Sequence, residues 1–331
     1  MSTPAWGRNH GRLLAALFLA GIPALSAFAE NPRPLVITPQ KSGTEVTLMG
    51  VYFRDIKLGW AVGASGTILK TTDGGRRWNM IPSGTRETLT AVFFVDGLRG
   101  WAVGSNGMIL HSKDGGERWI GQVSGTQAPL YGVYFPTATE GWTVGGNGTL
   151  LHSTDGGANW SDVATGTNAA LYAVYFIDQT HGLAVGALGT ILLSQDDGGR
   201  TWVLRETKSA ATLFDVIYAD SANAWAVGNA GAMFQTTDGG ATWVDRTLAC
   251  AQHCSRVIDL LRIRFNGGKE GWIVGERGTI YRTINAGLTW TELPNGFKAS
   301  LYGLTFPDPA SGWTAGEGGT ILHLLPDPAN R

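Results

Sequence analysis

A five-residue phrase recurs along the chain and restricts its fold more than any other feature. It reads GWAVG at Gly59 to Gly63 and Gly100 to Gly104, GWTVG at Gly141 to Gly145 and GLAVG at Gly182 to Gly186. It returns as AWAVG at Ala224 to Gly228, GWIVG at Gly271 to Gly275 and GWTAG at Gly312 to Gly316. Between the second residues the intervals are 41, 41, 41, 42, 47 and 41, a period that belongs to four-stranded propeller blades. Seven such units occupy about 294 of the 331 residues, so one repeat architecture takes up nearly the whole chain.

Each unit divides into four short segments rich in β-branched and aromatic residues and separated by Gly-containing turns, the signature of strands. The first is typified by Leu89 to Phe94, the second is the repeated phrase, the third is typified by Thr67 to Lys70, and the fourth opens at a Trp such as Trp78. Helical periodicity is absent, and the Gly density would cost a helix about 1 kcal/mol per Gly. The seventh unit has no Trp-led fourth segment, because the chain runs into Pro326 and Pro328. A matching segment lies at the other end, Pro34 to Pro39, placed before Ser42-Gly43-Thr44 as Trp78 to Pro82 is before Ser83-Gly84-Thr85. The fold expected is therefore an all-β, seven-bladed propeller whose N-terminal strand completes the last blade. This closure hides an edge that would otherwise expose unpaired backbone groups.

Composition narrows the function. Only 15% of residues are charged, against about 25% in an ordinary globular chain. The 25 basic and 26 acidic residues nearly cancel, which excludes a general polyanion binder, and no nucleic-acid partner is expected. Residues 1–29 read as an export signal. Arg8 and Arg12 precede an apolar run from Leu13, Pro23 interrupts it, and Ala27 and Ala29 supply small residues at the cleavage positions. An uncleaved anchor is the alternative, although 17 uncharged residues broken by Pro lie at the low limit for a span. With 1–29 removed, residues 30–331 form a single propeller domain with 23 basic and 26 acidic side chains, placed in an exported compartment and at most peripheral to a membrane.

Between third and fourth strands lie Asp-Gly-Gly turns at Asp73, Asp114, Asp155 and Asp238, with Asp197 in blade four after one extra residue and Asn285 substituting in blade six. These resemble the Asp box shared by bacterial sialidases and several non-enzymatic propellers. The residue types suit turn machinery: a carboxylate or amide accepts backbone N–H bonds, Gly supplies positive φ, and the Trp five positions on packs the blade. Carboxylates repeated on every blade encircle the rim instead of converging, so neither a metal nor a catalytic pair is expected from them. A sialidase would need an arginine cluster, a Tyr with an assisting Glu, and an acid, which the sequence does not assemble. Xyloglucanase-type enzymes with Asp boxes use two propellers. No zinc-helix motif, nucleophile elbow or phosphate loop is present, and no cofactor is implied. Cys250 and Cys254 fall in the one lengthened connection and are expected to form a disulfide.

Two sites break the repeat. On the face carrying the interblade connections, blades two to four offer neutral tips such as Asn106 and Leu188. Blade six instead offers Glu276 and Arg277, and blade seven Glu317, flanked by Arg256, Lys298, Arg86 and Glu87. On the innermost strands one position reads Gly50, Ala91, Gly132, Ala173, Asp215, Arg262 and Gly303, so that Asp215 and Arg262 are expected to meet near the channel. Two residues along, Tyr52, Phe93, Tyr134 and Tyr175 give way to Arg264 in blade six. Such local exceptions often mark function, the alternative being an ion pair that fixes blade five to six.

Gly59 through Trp78, repeated in Gly271 through Trp290, is similar to the photosystem II stability and assembly factor family, and the resemblance covers almost the whole mature chain. It implies a seven-bladed, non-catalytic factor on the lumenal side of a photosynthetic membrane, or in the periplasm, that uses an arginine-rich patch to engage newly made reaction-centre protein. Arg256, Arg262, Arg264 and Arg277 are candidates for a comparable patch. The expected partner is a protein, a membrane-complex subunit; the alternative is a sialidase-like propeller that binds or hydrolyses glycans.

Overall fold

A computed structural model describes residues 35–195, 199–248 and 257–326. The expected export signal at residues 1–29, Asp197, Cys250, Cys254 and Arg256 lie outside the described residues. The described residues form seven four-stranded antiparallel sheets, each meeting the next, with no α-helix among them. Their innermost strands are Leu48–Phe53, Leu89–Phe94, Leu130–Tyr134, Leu171–Phe176, Leu213–Tyr218, Leu260–Asn266 and Leu301–Asp308, taken here as blades one to seven. Closure is as the sequence implies: Leu35–Gln40 pairs antiparallel with Ile321–Pro326, from Leu35 opposite Pro326 to Gln40 opposite Ile321. This outer strand has six residues, whereas that of blade one, Asn79–Met80, has only two, and such short edges resist pairing with other chains.

The repeated phrase is a packing device. In six of the seven copies it carries a Trp, which is buried and lies against the aromatic ring at the end of the next blade's innermost strand. Trp60 stacks on Phe94 at 3.5 Å, Trp101 on Phe135 at 3.5 Å, Trp142 on Phe176 at 4.1 Å, and Trp313 closes the ring on Phe53 at 3.8 Å. The outer Trp then meets the same ring edge-on, as Trp78 does Phe53 and Trp119 does Phe94. Glycine brackets the phrase because there is no room beside it. A Cβ on Gly59 would sit 2.6 Å from the Phe53 ring, and one on Gly63 would sit 2.2 Å from the Thr47 carbonyl oxygen. Burying such aromatic rings at each junction, about 150–250 Å² apiece, supplies the core that no blade has alone.

The Asp-Gly-Gly turns are hydrogen-bonded in a repeated pattern. Asp73 Oδ1 accepts from the Arg77 N–H at 2.9 Å, and the Thr71 hydroxyl accepts from the Gly75 N–H at 2.9 Å, with Gly74 and Gly75 at φ 75° and 81°. Asp114 accepts the Arg118 N–H, Asp155 that of Asn159, Asp238 that of Thr242, and the Asn285 side-chain oxygen that of Thr289. These bonds favour the ionised carboxylate. The Asn159 side chain holds Asp155 down to about 2, and the Thr242 hydroxyl does the same for Asp238.

The junction of blades four and five departs from the rule in a coordinated way. Blade four carries Leu183 where others have Trp, blade five carries Tyr218 where others have Phe, and Ala224 replaces the leading Gly. Leu183, Tyr218 and Ala224 pack in one cluster. The Tyr218 hydroxyl donates to the Gly239 carbonyl at 3.0 Å, the turn position that Trp60 Nε1 reaches in blade two through Gly115 at 3.1 Å. Tyr218 and Trp60 thus reach the same turn position, whereas Trp101, Trp142, Trp225, Trp272 and Trp313 have no partner for Nε1 among the described residues.

Candidate functional site

Every innermost strand begins with a register shift, between Leu48 and Gly50 in blade one and between Leu260 and Arg262 in blade six. The irregularity decides which side chains face the axis. After it, the first paired position holds the small residues noted above because neighbouring inner strands approach closely there. A Cβ on Gly303 would lie 2.7 Å from the Val51 nitrogen, and one on Gly132 would lie 3.1 Å from the Tyr172 carbonyl oxygen.

In blade five that position holds Asp215, 4% exposed. Its Oδ2 accepts the Ile263 N–H at 2.9 Å and the Arg264 Nη1 at 2.5 Å, which ties blade five to six through backbone and side chain together. The ion pair is therefore made by Arg264, not by Arg262 at the matching position. Asp215 turns across to the neighbouring strand, where the Ile263 amide fixes one oxygen beside the longer reach of Arg264. Arg262 bonds backbone instead: its Nη1 donates to the Leu261 carbonyl at 2.8 Å and to that of Phe214 at 3.5 Å. Burial pushes the Arg262 guanidinium below its ordinary pKa, against the opposing pull of Asp215.

Around the channel from Arg264 runs an arc of four rings. Tyr52 and Phe93 are 5.2 Å apart between centroids, Phe93 and Tyr134 5.0 Å, and Tyr134 and Tyr175 4.9 Å, each pair tilted by about half a right angle. Burial pushes the Tyr52 phenol up to about 12 and raises those of Tyr134 and Tyr175. Together the arc and the arginines line a cavity of about 430 Å³. A second aromatic run, Tyr131 on Tyr172 at 5.0 Å and Tyr172 on Phe214 at 5.5 Å, lies nearer the strand starts in blades three to five. Reading the sequence as a repeat shows these rings but not that they face one cavity, because the register shift turns alternate positions over.

The rim residues form a separate group. Arg277 occupies the tip of the turn Glu276–Gly278 at φ 56° and is exposed. Glu276 accepts the Asp259 N–H at 3.4 Å. Lys298 is exposed on the adjoining connection, which is tied to this turn by the Asn295 side-chain amide donating to the Gly278 carbonyl at 2.8 Å. Arg86 is also exposed but belongs to the connection beside the blade-one turn, where Gly66 abuts Thr85. Glu317 accepts from the Ser300 N–H at 2.9 Å and from the Tyr302 hydroxyl at 3.0 Å. Among the described residues Arg86, Arg277 and Lys298 make no ion pair. The candidates thus separate into a channel pair, a blade-six rim pair and Arg86 apart. Among the described residues no group of three or more His, Cys, Asp or Glu could hold a metal ion.

The sequence model of the family described as photosynthesis system II assembly factor YCF48 matches residues 37–124, 78–168, 120–193 and 200–299. Among solved structures, YCF48 bound to a D1 peptide superposes with a TM-score of 0.73 at 19% identity, covering 90% of this chain and 98% of that one. YCF48 from Cyanidioschyzon merolae gives 0.72 at 19% identity, covering 88% and 99%. Virginiamycin B lyase from Staphylococcus aureus gives 0.75 at 14% identity, covering 88% and 99%. At these identities the likeness establishes the fold, which binding proteins and enzymes share. No curated protein matches the chain.

Proposed function

The chain belongs to the photosynthesis system II assembly factor YCF48 family, and from that premise we propose that it is an exported, non-catalytic scaffold that binds a protein subunit during assembly of a membrane complex. The observation that carries this reading is the break in the repeat at blade six. At the left-handed turn tip where the other blades carry Ser65, Asn106, Asn147, Leu188, Ala230 and Gly318, blade six exposes Arg277, and neither it nor Lys298 on the adjoining connection makes an ion pair among the described residues. The structure of YCF48 holding a D1 peptide supports a protein as the partner class. On this reading residues 1–29 are a leader that sends the scaffold to the periplasm, or to the lumen of a photosynthetic host, with a Cys250–Cys254 disulfide and no cofactor. The glycan alternative gains no support from the repeated Trp rings, which are interblade wedges and not an exposed platform.

The test is crosslinking in intact cells followed by mass spectrometry, with the native chain and with Arg277→Glu and Lys298→Glu together. The expected result is a dominant membrane-subunit partner whose capture falls about tenfold or more in the variant, at unchanged melting temperature. Equal capture by the variant removes the rim from the function, and hydrolysis of an arrayed glycan by the native chain replaces the scaffold reading altogether.

A further inference from the structure

We propose that the central channel is a binding site for a small organic anion, a carboxylate or phosphate group carried on an apolar body, with Arg262 and Arg264 taking the anion and the arc of Tyr52, Phe93, Tyr134 and Tyr175 taking the body. The cavity of about 430 Å³ falls within the range of small-molecule sites, about 300–1,000 Å³. Its wall divides by chemistry as such sites do, with aromatic rings on one side and a few convergent polar groups on the other.

The charges do not balance along the cavity lining. Two guanidinium groups face one carboxylate, Asp215, and Arg54 adds a third cation to the lining. An ion pair that merely locks blade five to six accounts for Asp215 and Arg264 and leaves Arg262 unexplained. Five other blades keep Gly or Ala at its position, and its side-chain bonds go only to main-chain carbonyls. Each arginine is anchored through Nη1 alone. Nε and Nη2 of both have no hydrogen-bond partner among the described residues and are not sealed from solvent. Two guanidinium groups immobilised by one nitrogen, with their remaining edges free, are pre-organised to receive oxyanion oxygens by charge-assisted bonds. The aromatic arc makes a bare inorganic ion the poorer ligand, because such an ion would leave the rings uncovered.

This site lies on the channel wall, apart from the rim assigned to the protein partner, so its test is independent of that reading. Titration calorimetry and saturation-transfer NMR on the full chain would use benzoate, phenyl phosphate, inorganic phosphate, benzyl alcohol and benzylamine. Benzoate or phenyl phosphate is expected to bind at least about tenfold more tightly than inorganic phosphate or benzyl alcohol, and benzylamine not to bind. Arg262→Gln, which breaks no ion pair, is expected to weaken that binding about tenfold or more without changing the melting temperature. Should that variant not fold, Asp215→Asn with Arg264→Gln removes the pair together and is expected to weaken binding likewise. No saturation by either aromatic anion up to about 10 mM, equal binding of benzyl alcohol, or undiminished binding to the folded variants overturns the proposal. Benzoate against phenyl phosphate then separates carboxylate from phosphate ligands.

Discussion

From blade one to blade four the channel wall is aromatic and its inner strands touch through small residues; in blades five and six the same positions hold Asp215, Arg262 and Arg264. The contrast shows how a repeat can carry a site without losing its architecture. Outward of the channel, blade six keeps its wedge, with Trp272 against Phe306 at 5.2 Å, so the exceptions on its innermost strand leave the interblade packing in place. The blade four to five junction shows the opposite case. There the wedge itself is exchanged, and three residues change together to preserve packing.

A pair of truncations separates the two halves most strongly. Trp101→Ala, in the regular half, should cost about 4 kcal/mol through the cavity left at the Phe135 face. Asp215→Ala should cost about 3 kcal/mol, at the low end for a broken buried pair because Arg264 keeps some contact with water. Adding Arg264→Leu should restore the part of the second loss that comes from the unpaired charge, the Ile263 amide remaining without its acceptor, and none of the first. Urea denaturation midpoints decide this, and a double variant as unstable as Asp215→Ala alone means that the charge pairing is not what holds the blades there.

The exchanged junction offers a smaller effect. Leu183→Trp alone should overpack against Tyr218 and cost about 2 kcal/mol. Combined with Tyr218→Phe and Ala224→Gly, it recreates the regular junction and should recover most of that loss. Thermal melts of the single and triple variants read the coupling; simple additivity would show that the three departures are independent.

The smallest effect is acid lability of the turns. Asp155 and Asp238 are held at about 2, below the ordinary carboxylate value near about 3.9. A depressed carboxylate contributes stability that is complete above the unfolded value and is lost as pH falls through the folded one, here between about pH 4 and pH 2. The Asn285 turn has the same hydrogen bond without a titrating group. Amide shifts of Asn159 and Thr242 should therefore titrate in that window while Thr289 stays constant, and identical behaviour of all three would assign the change to global unfolding.

Much of this molecule was legible in its residues. The 41-residue period gives seven blades, the missing last strand and its spare copy give the closure, and the Asp-Gly-Gly phrases give the turns. Departures from the repeat single out Asp215, Arg262, Arg264 and Arg277 in the sequence itself. What could not be read is which of these meet. Asp215 closes on Arg264 because the strand-start irregularity and the Ile263 amide aim its carboxylate, and neither leaves a mark in residue spacing. The same irregularity gathers four rings from four blades around one cavity, 41 residues apart in sequence but about 5 Å apart in space.

The order of apolar, small and turn-forming residues was enough by itself to determine a closed ring of blades, because local strand and turn preferences repeat and each wedge needs the next blade to cover it. The partition of the charged residues between channel and rim, and the pairing within each, was decided only when the ring closed. A polar contact depends on a few tenths of an ångström and on the direction of a side chain, and those are fixed by the neighbouring blade and not by the strand that carries it.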